Sequence, residues 1–307
     1  VYAPSLKSTD LASPGYYFLA TDTPEFMRWL AGQAEDAGAQ ILCGAEFTGA
    51  ERIGDGPDGR FRLAKPALET AYLIGADGAR SAVADHFSLG RNRRFLVGLE
   101  MEYDQVGGVT EDLLHTFFDS RIAPGYIGWV VPGAGVVQVG LACKRADKPN
   151  LRHFLERLGG VFDFSKSEVV ERRSGVIPCG GVVRPVAAPG VLLIGDAAGM
   201  VSPMTAGGIF TAFHYGERAA AAVADYLDGS GPEPGTVLPP TYPKFTIKKW
   251  LRRALDLGPP NWLLNLMIGT PPMQALARLV YFHSKGLGSG AAWRDLLGFH
   301  RPGPRDG

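Results

Sequence analysis

Hydrophobic and polar positions along the chain switch between two periods, and the switches mark the elements. Gly15 to Ala20 is a short aromatic run that reads as a strand. Asp22 or Thr23 then offers a side-chain cap, Pro24 suits a first helical turn, and Phe26, Leu30, Ala34 and Ala37 recur at helical spacing. The pattern predicts a helix to about Gly38 with one face packed on a sheet. Strand-like segments follow at Gln40 to Cys43, Glu46 to Arg52, Arg60 to Lys65 and Glu69 to Ile74. From Phe95 to Lys144 strands dominate again, among them Trp129 to Val131 and Val136 to Ala142 joined by a turn at Pro132 to Gly135, which implies a second sheet. Asn150 to Leu158 reads as a helix and Glu168 to Pro178 as extended chain. Val191 to Ile194 is wholly apolar, as strands buried on both faces of a parallel sheet are, and an Ala-rich helix from Gly207 to about Asp228 follows it. Gly229 to Pro240 is dense in Gly and Pro and reads as a linker before short helices.

Composition narrows this to a folded protein large enough for two lobes: 307 residues, 46% apolar and 20% charged. Lys plus Arg and Asp plus Glu balance at 31 each, so no global field draws the chain to nucleic acid. Cys43, Cys143 and Cys179 are far apart and have no metal-ligand spacing, which fits a reducing compartment. No apolar run reaches the roughly 18 residues of a membrane span, and Val1 to Asp10 has no signal-peptide pattern. The expectation is a cytoplasmic protein, possible peripheral membrane contact aside, with no metal.

Two strand-to-turn-to-helix junctions carry candidate chemistry. In Tyr72 to Ser81 an apolar strand ends at Asp77 and Gly78 before a helix, where backbone N–H groups can meet phosphate oxygens; an ordinary Asp-capped turn is the competing reading. In Val191 to Ile209 the strand ends at Gly195 and Asp196, and Pro203, Gly207, Gly208 and Ile209 follow. Gly195 permits a sharp turn, Asp196 offers a carboxylate to a sugar or ribityl hydroxyl, and the paired glycines let backbone approach a flat ring. A literal Gly-x-Gly-x-x-Gly at Gly54, Gly56 and Gly59 contains Pro57 and leads into a strand, so it reads as a hairpin turn.

Gly75-Ala-Asp-Gly-Ala-Arg-Ser81 and Gly195-Asp-Ala-Ala198 with Pro203 to Ile209 resemble, in order and separation, the Asp-Gly and Gly-Asp motifs of para-hydroxybenzoate-hydroxylase-like flavoproteins. Val1 to Pro4, the helix at Phe26, Gly125-Tyr126 with Trp129 and Pro132, and Ile177-Pro178 resemble the geranylgeranyl-reductase branch, and the resemblance runs to about residue 228. It implies a mixed α/β fold: an FAD-binding Rossmann-like lobe, an antiparallel β-sheet substrate lobe and a C-terminal helical segment. The implied partition is 1–95 and 177–228 for the FAD lobe, 96–176 for the sheet lobe and 229–307 for the helical region. It further implies that Asp196 meets the FAD ribityl chain, with Gly195 and Pro203 in the same turn. Gly207, Gly208 and Ile209 lie along the isoalloxazine, Asp77 and Gly78 stand near the pyrophosphate, and backbone at Phe47 meets the adenine.

The sequence also departs from that family. It shows no initial Gly-rich dinucleotide turn, and the expectation is that this unit is missing. Thr23 stands where an Arg is frequent, Ala206 where Gly is usual, and the Tyr-x-Trp-x-Phe-Pro pattern survives only as Trp129 to Pro132 with Tyr126 shifted by one. Tyr126 and Trp129 read either as the lining of an apolar substrate cavity or as sheet core. The branch implies an FAD-dependent oxidoreductase that saturates an isoprenoid double bond by hydride from reduced flavin, supplied by an external donor such as NAD(P)H or ferredoxin. The alternatives are a flavin monooxygenase or halogenase, although the halogenase Trp-x-Trp-x-Ile-Pro stretch is incomplete, and a flavin-free fragment or degenerate paralogue acting as a binding protein.

Towards the C-terminus, Lys244, Lys248 and Arg252 fall on one helical stripe beside Lys249 and Arg253, with Trp250, Leu251 and Leu255 as apolar surface. Such a helix reads as a solvated face or as one that lies on an anionic bilayer. Trp262 to Ile268 and Met273 to Phe282 are apolar but broken by Gly269, Pro271 and Pro272.

Overall fold

The computed structural model describes residues 1–12, 17–54 and 59–270. Helix α1 spans Thr23–Asp36, and its N-cap Asp22 accepts a hydrogen bond from the Glu25 N–H. Strands β1 (Ala50–Ile53), β2 (Arg60–Leu63) and β3 (Leu68–Thr70) form an antiparallel meander. Ile53 pairs with Arg60, so the glycine motif at 54–59 connects two hairpin strands rather than a strand and a helix. The tip of that hairpin, 55–58, lies outside the described residues, as do Gly15, Tyr16 and Met273 to Phe282.

Strand β4 (Leu73–Gly75) leads to the short helix α2 (Ala82–His86). Four strands follow, β5 (Phe95–Tyr103), β6 (His115–Phe117), β7 (Gly128–Pro132) and β8 (Val137–Lys144); then helix α3 (Leu151–Leu158) and β9 (Val169–Pro178). These five strands make one antiparallel sheet in the order β6-β7-β8-β5-β9. Because side chains alternate across a strand, the sheet has two distinct faces. One is sealed by α3, whose Leu151, Phe154 and Leu158 bury against Tyr103, Val130, Val139 and Leu141. The other carries Leu96, Trp129 and Ala142 and meets Cys179 and Ala206.

After β10 (Ala187–Ala188), β11 (Val191–Leu193) runs parallel to β4, with Leu192 opposite Ile74. All three residues of β11 are buried, as their uninterrupted apolar run requires. Helix α4 (Ile209–Leu227) packs on them through Tyr215 and Ala219. Tyr242 locks the arrangement by donating its buried hydroxyl to the Leu193 carbonyl at 2.9 Å. The chain continues through α5 (Pro234–Val237), α6 (Thr246–Asp256) and α7 (Asn261–Gly269).

Several local expectations change. Helix α1 does not bury a face on a sheet: none of its residues is buried, and Phe26 instead meets Phe213 of α4 edge-on at 5.9 Å. Gln40 to Cys43 and Tyr17 to Ala20 form no strand, having no hydrogen-bonding partner strand among the described residues. Glu69 to Ile74 divides at Ala71 into strands of two different sheets. The Lys244, Lys248 and Arg252 stripe is not a solvent face, since Arg252 is fully buried.

Candidate functional site: two paired turns facing a sheet

The parallel pairing of β4 and β11 brings the carboxyl ends of both strands side by side. Gly75 is needed there because a Cβ would stand 2.6 Å from the Leu193 side chain. Beyond it, Asp77 accepts from the Val83 N–H at 3.0 Å and Ser81 accepts from the Ala84 N–H at 2.9 Å, so both cap α2. One Asp77 carboxylate oxygen is thereby committed to the helix. Gly78 has φ +81°, and the space where a side chain would project is open. Phe47 packs partly buried nearby, edge-on to His86 at 5.7 Å.

At the second turn Gly195 has φ 55°, a left-handed conformation that favours glycine. Asp196 is half-buried, and burial holds its carboxyl above the usual carboxylate range. No cation pairs with it among the described residues. The segment after it folds back on itself: Ser202 N–H donates to Gly207, Ala206 N–H to Ser202, and Pro203 is buried within the loop. Gly208 lies so close to Asp196 that a Cβ would sit 3.3 Å from its Oδ1, whereas Gly207 is open apart from Thr205. Helix α4 starts there with no side-chain cap, and Ile209, Phe210 and Phe213 stand exposed on its first turns.

The two turns are tied by a residue that sequence periodicity does not single out. Asn92 donates its side-chain amide to the carbonyls of Ala79 and Asp196 at 3.1 and 2.8 Å. Its only signal in the sequence is an uncharged amide within Arg91 to Arg94.

Facing this loop is the open side of the five-stranded sheet. The Tyr126 hydroxyl donates to the Thr205 carbonyl at 2.8 Å, and Trp129 packs with Tyr126, Leu96, Ala142 and Ala206. The Trp129 ring lies over Gly140, where a Cβ would come within 2.5 Å of it, and its Nε1 donates to Glu100 at 2.7 Å. Burial raises the Glu100 carboxyl above its usual range, opposed by the Trp129 bond. No local motif in the sequence marks Glu100, but alternation along β5 puts it on the same face as Leu96. His214 is exposed and stacks with Phe210, and burial pushes the Cys179 thiol up and Cys143 to about 11, so neither thiol is activated.

These features fit a flavin nucleotide. A desolvated carboxylate has no cation, two glycines leave a backbone surface uncovered, and a bare helix start carries exposed apolar side chains. Residues 5–97 match a family model described as an FAD binding domain. The chain is 26% identical over 224 residues to digeranylgeranylglycerophospholipid reductase of Methanocaldococcus jannaschii, covering 70% of this chain and 57% of that protein. It is 31% identical over 219 residues to digeranylgeranylglycerophospholipid reductase 1 of Methanothermobacter thermautotrophicus, covering 65% and 53%. In fold it resembles a geranylgeranyl bacteriochlorophyll reductase-like protein from Thermoplasma acidophilum, with TM-score 0.74, 20% identity, and 97% and 81% of the two chains covered. The chain is thus similar in sequence to digeranylgeranylglycerophospholipid reductases and carries a match to an FAD binding domain. It spans little more than half the length of these curated relatives. The myxobacterial chondrochloren halogenase shares the fold at a lower TM-score of 0.57 and 16% identity, over 89% and 69% of the chains. The domain match points to FAD as the cofactor, and the two turns offer groups of the kind that could hold it.

Proposed function

We propose that this protein reduces carbon–carbon double bonds of an isoprenoid lipid, using FAD recharged by an external donor of the nicotinamide or ferredoxin class. The observation that carries this reading is the meeting of two surfaces at Ala206. The Gly-rich loop after Asp196 comes from the cofactor side, and Tyr126 and Trp129 come from the open face of the sheet.

Asp196 and the backbone of Gly195, Gly207, Gly208 and Ile209 hold the cofactor, with Pro203 shaping the loop; Asp77, Gly78 and backbone at Phe47 face its nucleotide end. FAD, when bound and reduced, supplies the hydride. The chain's own residues do the rest. Tyr126 and Trp129 present ring surface to an apolar substrate and exclude water, with the Trp129 ring seated on Gly140. Removing water and fixing the double bond against a flat ring is how positioning lowers the barrier for a group that has no charge to hold.

The test is anaerobic incubation of the FAD-loaded protein with dithionite and a geranylgeranyl ether lipid, followed by mass spectrometry. Addition of two hydrogens per double bond is expected. An unchanged lipid with fully reduced flavin, or a hydroxylated or halogenated product in a parallel incubation under air with NAD(P)H and halide, would overturn the reading. A protein that cannot be loaded with flavin would instead favour a binding role.

A further inference from the structure

Helices α6 and α7 each turn large apolar side chains to the outside. A surface helix ordinarily turns its apolar stripe to the body and its charges to water. In α6 the buried residue is a charge: Arg252 is 1% exposed and donates to the Asp256 carboxylate through Nε at 3.0 Å and Nη2 at 2.7 Å, and to the Gly125 carbonyl. The Lys249 stem lies against Gly181. The outward face is Ile247, Trp250, Ala254 and Leu257, spaced at helical intervals, with Trp250 72% and Leu257 88% exposed. In α7 the polar residues again point inward, Asn261 bonding Asp119 and Ser120 and Asn265 bonding Ser5. Its outward pair is Trp262, 68% exposed, and Leu266.

Charge selects the partner for this face. Between residues 241 and 270 the sequence holds five cations, Lys244, Lys248, Lys249, Arg252 and Arg253, and one acid, Asp256, a net of 5 − 1 = +4. That acid is taken by Arg252, while Lys244 and Arg253 stand exposed beside the apolar residues. Two exposed tryptophans, aliphatic side chains between them and a cationic rim match an anionic bilayer surface: indole rings settle at the headgroup level and cations meet the phosphates. A protein partner would gain little from the unpaired cations unless it were acidic.

We propose that the outward faces of α6 and α7 dock the protein on an anionic lipid bilayer, with Trp250, Leu257 and Trp262 inserted and Lys244 and Arg253 on the headgroups. The proposal goes beyond the reductase reading, since it concerns a surface made of other residues and would hold for any lipid-modifying chemistry.

The test is co-sedimentation of the full chain with vesicles of phosphatidylcholine alone and mixed with phosphatidylglycerol. Binding to the mixed vesicles that weakens with added salt is expected. A Trp250→Ala/Trp262→Ala variant should bind at least about tenfold more weakly, with an unchanged melting temperature because both side chains bury little on folding. Lys244→Glu/Arg253→Glu should remove the preference for anionic vesicles. Failure of the parent to sediment, or equal binding by the variants, would overturn the proposal. So would a concentration-dependent dimer that the tryptophan variant dissolves, which would make the face a contact between copies. Turnover of detergent-dispersed substrate by the tryptophan variant reads the reductase proposal separately.

Discussion

The side-chain amide of Asn92 donates 2.8 Å to the carbonyl of Asp196 while its other hydrogen reaches Ala79 at 3.1 Å, so one residue clasps together the two turns proposed to hold the cofactor. Each such bond contributes about 1 kcal/mol, and partly buried carbonyls left bare cost more. Asn92→Ala is expected to lower stability by about 1–3 kcal/mol in urea denaturation and to lower the flavin-to-protein ratio on purification. Asn92→Asp, which keeps the shape but aims acceptors at two carbonyls, should do no better. A variant as stable and as yellow as the parent would show the clasp to be idle.

Asp196 makes opposite demands on stability and binding. Its folded-state carboxyl is raised by burial, so the folded protein keeps a proton that the unfolded chain has already released. Stability from this group therefore falls as pH rises from the unfolded value through the folded one. Stripped of flavin, Asp196→Asn should melt no lower than the parent at neutral pH, and any advantage should vanish in acid. Flavin retention should fall in Asp196→Asn and disappear in Asp196→Ala. Equal flavin content in parent and alanine variant would remove Asp196 from the site.

Ala206 adopts φ 52°, a left-handed conformation that costs an alanine about 1–2 kcal/mol. Glycine relieves that strain but brings back about 0.4–1 kcal/mol of unfolded-chain entropy. Ala206→Gly should accordingly stabilise the protein by roughly 0.5–1 kcal/mol, read from the denaturation midpoint at constant m. A loss of stability would mean that the methyl contact with the Trp129 cluster outweighs the backbone strain.

Gly140 sets the position of Trp129. With a Cβ due 2.5 Å from the ring, Gly140→Ala should cost about 1–3 kcal/mol and shift tryptophan emission as Nε1 leaves Glu100. Trp129→Phe removes the donor along with the five-membered ring that carries it. Because that bond lowers a carboxyl pKa otherwise raised by burial, the Glu100 titration should move further up in the phenylalanine variant, as followed by carboxyl carbon NMR.

The strong local signals were legible in the sequence. Val191 to Ile194 has the wholly apolar pattern of a strand buried on both faces, and the strand-like pattern from Phe95 to Lys144 implies a second sheet, as the structure has it. Both turns at Asp77 and Asp196 lie where the glycines and carboxylates put them. What failed was whatever depended on a neighbour far along the chain. Helix α1 has a convincing apolar stripe and a good cap, yet which surface receives the stripe is not written locally, and no residue of it is buried. Gln40 to Cys43 has strand propensity without a partner strand. Arg252 looked solvated because periodicity assigns a stripe to a side of a helix without saying which side is inside. Asn92 and Glu100 are polar residues whose importance comes entirely from what they touch.

The neighbouring strands β4 and β11 pair Leu73 with Val191, which are 191 − 73 = 118 positions apart. The whole antiparallel sheet is spliced between two strands that lie in contact. Joining them across so long a span costs about 4 kcal/mol of loop-closure entropy on logarithmic scaling, unless the inserted sheet forms first and draws its ends together. That makes the sheet a jig for bringing the turns after β4 and β11 together and ties the order of folding to it. A lesion deep in the sheet, far from either turn, would then reach the flavin by delaying the moment at which the two strands meet.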